Sequence, residues 1–154
     1  MLKLALVIRM AYVVKHFMNK EVPTIEDQAS VTEAAKTMDK TADHKGFLVV
    51  LKGGRPVGIV TEHDFAKKVL ASELDPAKVA VGEIMSAPLI TVDPDEDLLK
   101  AAELMKKNNI ERLPVVKEGI IYGVLTAQLI AQSCSEYVDR SVKDIVRWTG
   151  GLFI

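Results

Sequence analysis

One cysteine in 154 residues, aromatics at 5% and a net charge of -1 exclude several large classes of protein. The lone thiol, Cys134, cannot close an internal disulfide, so a disulfide-stapled secreted scaffold is excluded and a reducing compartment is expected. Its ordinary role is that of a small, half-buried apolar residue. With 20 Lys plus Arg against 21 Asp plus Glu, there is no basic excess to track a nucleic-acid backbone, so no nucleic-acid partner is expected. Any anionic ligand must be held by a local charge. Long apolar runs are missing as well. In LKLALVIRMAYVVKHFM, Arg9 and Lys15 leave only LALVI and MAYVV uncharged, far short of the ~20 residues that cross a bilayer. An amphipathic helix over residues 1–12 is expected, in a cytoplasmic protein with no membrane partner. The three histidines, His16, His44 and His63, stand at no ligand spacing, and there is no glycine-rich phosphate loop, nucleophile elbow or CxxC. Neither a metal site nor catalysis is expected.

What the chain does have is aliphatic residues and an internal repeat. Hydrophobic residues make up 49% and charged residues 27%, a globular composition. MNKEVPTIEDQASVTEAAKTMDK from Met18 aligns without a gap on MSAPLITVDPDEDLLKAAELMKK from Met85, an offset of 67 residues. Val31, Ala34, Ala35 and Met38 recur as Leu98, Ala101, Ala102 and Met105, the i, i+3, i+4, i+7 spacing of one buried helix face. Ser30 with Glu33 supplies a capping box for the first helix, and Asp93, Pro94 and Glu96 offer a start signal for the second. Met18, Met38, Met85 and Met105 occupy equivalent positions, which points to packing rather than to a cofactor.

FLVVLKGGRPVGIVT and LPVVKEGIIYGVLT each read as a hairpin, turning at Gly53-Gly54 and Glu118-Gly119. Between Met38/Met105 and Gly58/Gly123 the offset falls from 67 to 65. Two extra residues in the first repeat are therefore expected, in the loop near Asp43 and in the hairpin turn. Helices follow in FAKKVLAS and QLIAQSC. Each half thus reads strand, helix, strand, strand, helix, an α+β unit over residues 13–72 and again over 81–133, with a linker at 73–80 and a terminal segment at 134–154. A unit of about 60 residues hides too little surface alone. The two should pack sheet to sheet about a pseudo-two-fold axis, which creates two related clefts.

The copies differ at one telling point: GIVTEHD at 58–64 ends in Asp64, whereas GVLTAQL at 123–129 ends in Leu129. Thr61 and Asp64 form a variant capping box, which accounts for both without a ligand. Yet Thr126 keeps its place while the acid disappears from the equivalent helix. A strand-to-helix turn with free N–H groups also suits phosphate, and an acid beside it suits ribose hydroxyls. The second half offers a counter-charge in Arg112, aligned here with Gly46, although an isolated arginine also reads as a solvated strand-edge charge.

With these residues in view, the chain resembles a stand-alone tandem pair of CBS domains, the Bateman module, over residues 13 to 133. The resemblance rests on Thr24-Ile25 and Thr91-Val92, on FLVV and RLPVV, and on GIVTEHD as Gly-hydrophobic-x-Thr/Ser-x-x-Asp. It implies a regulatory sensor that needs no cofactor and binds AMP, ADP, ATP or S-adenosylmethionine between the repeats. Asp64 would hold ribose, with Thr61 and His63 near ribose or phosphate, Gly58 in the same turn, and Thr24 and Ile25 along the base or phosphate side. Arg112 stands where related modules carry an arginine that reaches phosphate, and Glu111 stands where they carry histidine. A second, weaker cleft would use Thr91, Val92 and Thr126. The resemblance further implies a homodimer read by an unknown effector protein. The competing reading is an assembly module with no ligand, for which SVKDIVRWTGGLFI, with Trp148 and Phe153, would supply an interface. VKDIV also echoes VKHFM at 14–18 and VGEIM at 81–85, as a chain cut from a longer protein would.

Overall fold

The computed structural model describes residues 12–41 and 46–133. The helix expected over 1–12, the loop at Asp43, His44, Cys134 and the segment 134–154 with Trp148 and Phe153 lie outside the described residues.

The first repeat contains β1 (Thr24–Glu26), α1 (Val31–Lys40), β2 (Phe47–Lys52) and β3 (Arg55–Thr61). Its last helix, α2, opens as Glu62–Asp64 and continues through Phe65–Leu70 with wider, π-type turns, Ala71 N–H reaching the Ala66 carbonyl at 2.9 Å. A short α3 (Val81–Ile84) leads the second repeat, followed by α4 (Leu98–Asn108), β4 (Arg112–Lys117), β5 (Ile120–Thr126) and α5 (127–133). The strands form a three-stranded sheet in the order β1-β2-β3 and a two-stranded sheet of β4 and β5.

The helix periodicity translates directly into burial. Val31, Ala34 and Met38 of α1, and Leu98, Ala101 and Met105 of α4, enter the two cores, while Ala35 is left exposed. Ser30 closes the expected capping box on α1, its N–H donating to Glu33 Oε2 at 2.7 Å and its Oγ accepting from Glu33 N–H at 3.2 Å. The start of α4 departs from expectation. Its N-cap is Asp97, whose carboxylate accepts from Leu99 N–H at 2.7 Å, and Asp93 instead accepts from Asp95 N–H at 2.8 Å in the preceding turn. Helix cannot begin at Pro94 because the backbone there is otherwise engaged. The Pro94 and Glu96 carbonyls accept from Lys15 and Val14 N–H at 2.9 Å each, and Leu98 N–H donates to the Tyr12 carbonyl.

Both hairpins have two-residue turns with positive φ at each turn residue, 58° and 77° at Gly53-Gly54 and 52° and 76° at Glu118-Gly119. Their ladders match step for step, from Phe47↔Thr61 to Lys52↔Arg55 and from Arg112↔Thr126 to Lys117↔Ile120, with a bulge at the same place. No extra residue therefore sits in the first turn; both precede Phe47, between α1 and β2. This corrects the alignment of Arg112 as well. Its structural counterpart is Phe47, and Gly46 corresponds to Glu111, as their carbonyls show by accepting from Glu62 and Ala127 N–H.

The second repeat lacks a full counterpart of β1. Val92 makes only a single parallel bridge with Val115. In the first repeat Val49 N–H donates to the Pro23 carbonyl at 2.9 Å, and the residue equivalent to Val49 is Pro114, which has no N–H to give.

Sheet faces sheet, as expected. Phe47, Val49 and Val124 are buried in the seam, with Leu51, Ile59 and Ile121 packed around them. The leading segments cross over. Val14, in a one-turn 3-10 helix at Val14–His16, is buried in the core of the second repeat with Leu98, Leu113 and Leu125, while Val81 and Ile84 complete the core of the first with Val31, Leu48 and Val60. Met18 lies against Gly123 and Met85 against Gly58, so these methionines are used for packing, as are Met38 and Met105 in the cores.

Candidate functional site

The end of β3 brings Thr61 to the N-cap of α2, and the expected capping box forms there. Asp64 Oδ2 accepts from Thr61 N–H at 2.9 Å and from Thr61 Oγ1 at 3.0 Å, while Thr61 Oγ1 accepts from Asp64 N–H at 3.3 Å. The other carboxylate oxygen, Oδ1, lies 2.8 Å from Lys68 Nζ, one helical turn on. Lys68 also donates to the Ile84 carbonyl at 2.6 Å. Asp64 is only 8% exposed, and a carboxylate can leave water to that extent because three donors take its place. The role of Lys68 escaped the sequence reading; the acid-lysine spacing of four residues in α2 is the signal that carries it.

The second copy keeps only half of this arrangement. Thr126 Oγ1 accepts from Leu129 N–H at 3.1 Å, but Leu129 has nothing to return to Thr126. The residue equivalent to Lys68 is Ser133, whose Oγ donates to the Leu129 carbonyl at 2.7 Å. Acid and lysine are thus replaced together.

The remaining residues singled out in the sequence are spread over several places. Thr24 is exposed on β1 beside Val49, and Ile25 packs on the first core. Gly58 answers to packing: a Cβ there would lie 2.5 Å from Met85 Sδ and 2.9 Å from the Ser86 carbonyl. His63 is exposed on the first turn of α2. Thr91 and Val92 line a hollow of about 310 Å³ beside α4, together with Asp93 and Lys100.

Arg112 and Thr126 are cross-strand partners at the ends of β4 and β5. The Arg112 guanidinium stacks over the Phe47 ring, 5.3 Å from its centre, and Phe47 is the cross-strand partner of Thr61. Arg112 therefore sits on the seam between the repeats. It lines a cleft of about 380 Å³ with Asn19, Phe47, Thr126, Gln128 and Leu129. The cleft offers one guanidinium, three carboxamides counting Gln132, and the start of α5, with the carboxylate of Glu111 at its edge. Asp64 is not among its lining residues. The structure thus groups Arg112 with Thr126 and Leu129, and Asp64 with Thr61 and Lys68.

A second charged group fastens the crossing segment. Lys15 Nζ lies 2.7 Å from Asp95 Oδ1, and Lys117 Nζ lies 2.9 Å from Asp95 Oδ2 and 3.6 Å from Asp93 Oδ2. The Lys15 hydrogen bond, followed by that of Lys117, lowers the Asp95 carboxyl to about 2, and Asp95 in turn raises Lys117. Among the described residues no group of three metal-binding side chains occurs, and no helix is long and apolar enough to cross a membrane.

Comparison with known proteins gives a consistent result. The CBS domain model matches twice, at residues 14–71 and 81–134. An uncharacterized protein of Methanopyrus kandleri is 38% identical over 86 residues, covering 55% of this chain and 44% of that protein. The chain spans about half the length of the first curated relatives it matches. Among solved structures, the CBS domain pair of protein MJ0100, in complex with 5-methylthioadenosine and S-adenosyl-L-methionine, superposes with a TM-score of 0.71 at 31% identity, covering 81% of this chain and 97% of that one. A hexameric CBS-CP12 protein from bloom-forming cyanobacteria superposes with a TM-score of 0.69 at 26% identity, covering 91% and 85%.

Proposed function

Since the chain belongs to the CBS-domain family, as two CBS domains in tandem, we propose that this regulatory module senses an adenosine-containing ligand, AMP, ADP, ATP or S-adenosylmethionine, held between its repeats. The observation that carries the reading is the position of Arg112, a cation from the second repeat stacked on Phe47 of the first. Phe47 is the cross-strand partner of Thr61 and Arg112 that of Thr126, so the stack joins the corresponding ends of the two sheets. In this proposal ribose is held at Asp64, with Thr61 and His63 beside it and Thr24 and Ile25 toward the base, while the anionic part of the ligand turns to Arg112. Arg112 lines a cleft of about 380 Å³, within the range of ~300 to 1,000 Å³ usual for small-molecule sites, and the ligand would have to reach from that cleft to Asp64, which lies outside its lining. The adenosine-type ligands of the MJ0100 pair favour the same chemistry.

Bridging the seam, the ligand favours one relative orientation of the repeats, which an effector protein then reads. We further propose a homodimer as the signalling form; that the CBS-CP12 neighbour is hexameric supports self-association of such modules but not this particular number of copies. Titration of AMP, ADP, ATP and S-adenosylmethionine by calorimetry, with melting temperature in parallel, tests the reading. A ligand at one hundred times its Kd stabilises the folded state by about 2.7 kcal/mol, or roughly 5 to 11 °C at this chain length. Asp64→Ala and Arg112→Ala should each abolish that shift. If none of the four binds, or if Asp64→Ala binds as tightly as the unaltered chain, the sensor reading gives way to a ligand-independent assembly module.

A further inference from the structure

Asp64 does not stand ready with two free oxygens. Oδ2 already accepts two hydrogen bonds from Thr61, which fills both of its lone pairs, and Oδ1 has given one of its two to Lys68. One acceptor position remains. Lys68 is the complement of this: of its three N–H groups, one serves Asp64 Oδ1 and one the Ile84 carbonyl, and the third is uncommitted among these contacts. Its side chain is 38% exposed, so the lysine is not sealed in the core. Side by side, the pair offers one acceptor and one charged donor.

We infer that Lys68 is a specificity-determining contact of the Asp64 site, so that a vicinal diol is read by two different residues. One hydroxyl donates to Asp64 Oδ1, and its neighbour accepts from Lys68 Nζ. The inference rests on the proposed nucleotide reading and refines it, since a carboxylate acting alone would have to accept from both hydroxyls with a single free position. Two further observations support treating the residues as a unit. The second repeat has lost both, with Leu129 and Ser133 at the equivalent places. The anchor of Lys68 is also a fixed one. Ile84 closes α3, and two residues later Ser86 exchanges backbone hydrogen bonds with Ile59 at 2.8 and 3.1 Å, so the lysine is braced against the segment crossing from the second repeat.

The test uses AMP, 2′-deoxy-AMP and 3′-deoxy-AMP as probes, titrated into the full chain, Lys68→Met and Lys68→Arg, with melting temperature as the control for folding. The unaltered chain should prefer AMP to both deoxy compounds by about tenfold each, the worth of one charge-assisted hydrogen bond. Lys68→Met keeps the apolar stem and removes the donors. It should bind AMP about tenfold more weakly and cease to distinguish AMP from one of the two deoxy compounds, while still rejecting the other. Lys68→Arg should restore the lost discrimination. A structural role for Lys68 alone would lower all three affinities equally and leave both preferences in place, and that result overturns the inference, as does a Lys68→Met chain that binds AMP as well as before. If the unaltered chain binds none of AMP, ADP, ATP and S-adenosylmethionine, the nucleotide reading and this refinement fail together, whereas retention of both preferences in Lys68→Met sinks the refinement alone.

Discussion

An alanine at position 123 would carry its methyl carbon 2.6 Å from the Asn19 carbonyl oxygen and 2.7 Å from Met18 Sδ, both inside the 3.0 Å that real Cβ contacts respect. At the equivalent position 58 the obstacles are Met85 Sδ at 2.5 Å and the Ser86 carbonyl at 2.9 Å. In both places the sulfur ends a flexible side chain and the oxygen is backbone pinned by reciprocal hydrogen bonds, Ser86 with Ile59 at 2.8 and 3.1 Å and Asn19 with Val124 at 2.9 Å each way. The approach is what differs: the Ser86 oxygen at 2.9 Å is barely too close, whereas the Asn19 oxygen at 2.6 Å is well inside contact. Overpacking of this kind costs about 1 to 3 kcal/mol, so Gly58→Ala should lie near the lower end and Gly123→Ala near the upper. At roughly 2 to 4 °C per kcal/mol for a chain of this size, the melting temperature falls by about 2 to 4 °C in the first and about 6 to 12 °C in the second. The restriction alanine places on the unfolded chain offsets about 0.4 to 1 kcal/mol in both and leaves the order unchanged. Thermal and urea unfolding measure the two losses, and a double-mutant cycle identifies the obstacle. Met85→Ala should relieve much of the Gly58→Ala cost, whereas Met18→Ala should relieve little of the Gly123→Ala cost. Losses below about 0.5 kcal/mol at both glycines, or equal coupling in the two cycles, would refute the close-approach argument.

Thr61→Ala removes the hydroxyl that caps Asp64 N–H and that donates to Asp64 Oδ2, two bonds in all, while the Thr61 backbone N–H bond survives, so it should cost about 1 to 2 kcal/mol, against about 0.5 to 1 for Thr126→Ala, where only one bond is lost; chemical denaturation gives the order. Pro114→Val supplies the N–H that the second repeat lacks, and hydrogen exchange should find the new amide protected by pairing with the segment before Val92. Asp95, with its carboxyl lowered from 3.8 to about 2, adds stability that is complete above pH 4 and disappears as the pH falls toward 2. The melting-temperature gap between the unaltered chain and Asp95→Asn should therefore close over that interval, and because the pair is exposed, added salt should narrow it at every pH.

Much of the fold was legible because the repeat supplied each expectation twice. The helix face Val31, Ala34, Met38 returned as Leu98, Ala101, Met105, and the glycine turns identified both hairpins. Where sequence and structure differ, a local signal competes with the register of the repeat. Asp93-Pro94 looks like a helix start, yet the offset of 67 from Ser30 points to Asp97, the residue that caps α4. Gly46 aligns with Arg112 only if one extra residue sits in the hairpin turn, and the matching ladders show that Phe47 is the counterpart. At the site, the Thr61–Asp64 cap was readable from spacing alone. The stacking of Arg112 on Phe47 joins residues of different repeats, and no spacing within either one reports it. The hold of Lys68 on Ile84 depends equally on how the crossing segment comes to rest.

The echo between VKHFM and VGEIM proves to have a strict physical meaning, for each segment finishes the interior of the half to which it does not belong by sequence. Neither half is then a self-sufficient folding unit: cut at the linker, each would keep a plug and lack a socket's filling. The pair should melt in a single cooperative transition by calorimetry, and the halves expressed as separate chains should be soluble only together. Two resolved transitions would contradict this. An intact single repeat faces the same deficit and could meet it only by exchanging its leading segment with a second copy, so the tandem chain amounts to a swapped dimer whose partners are covalently joined.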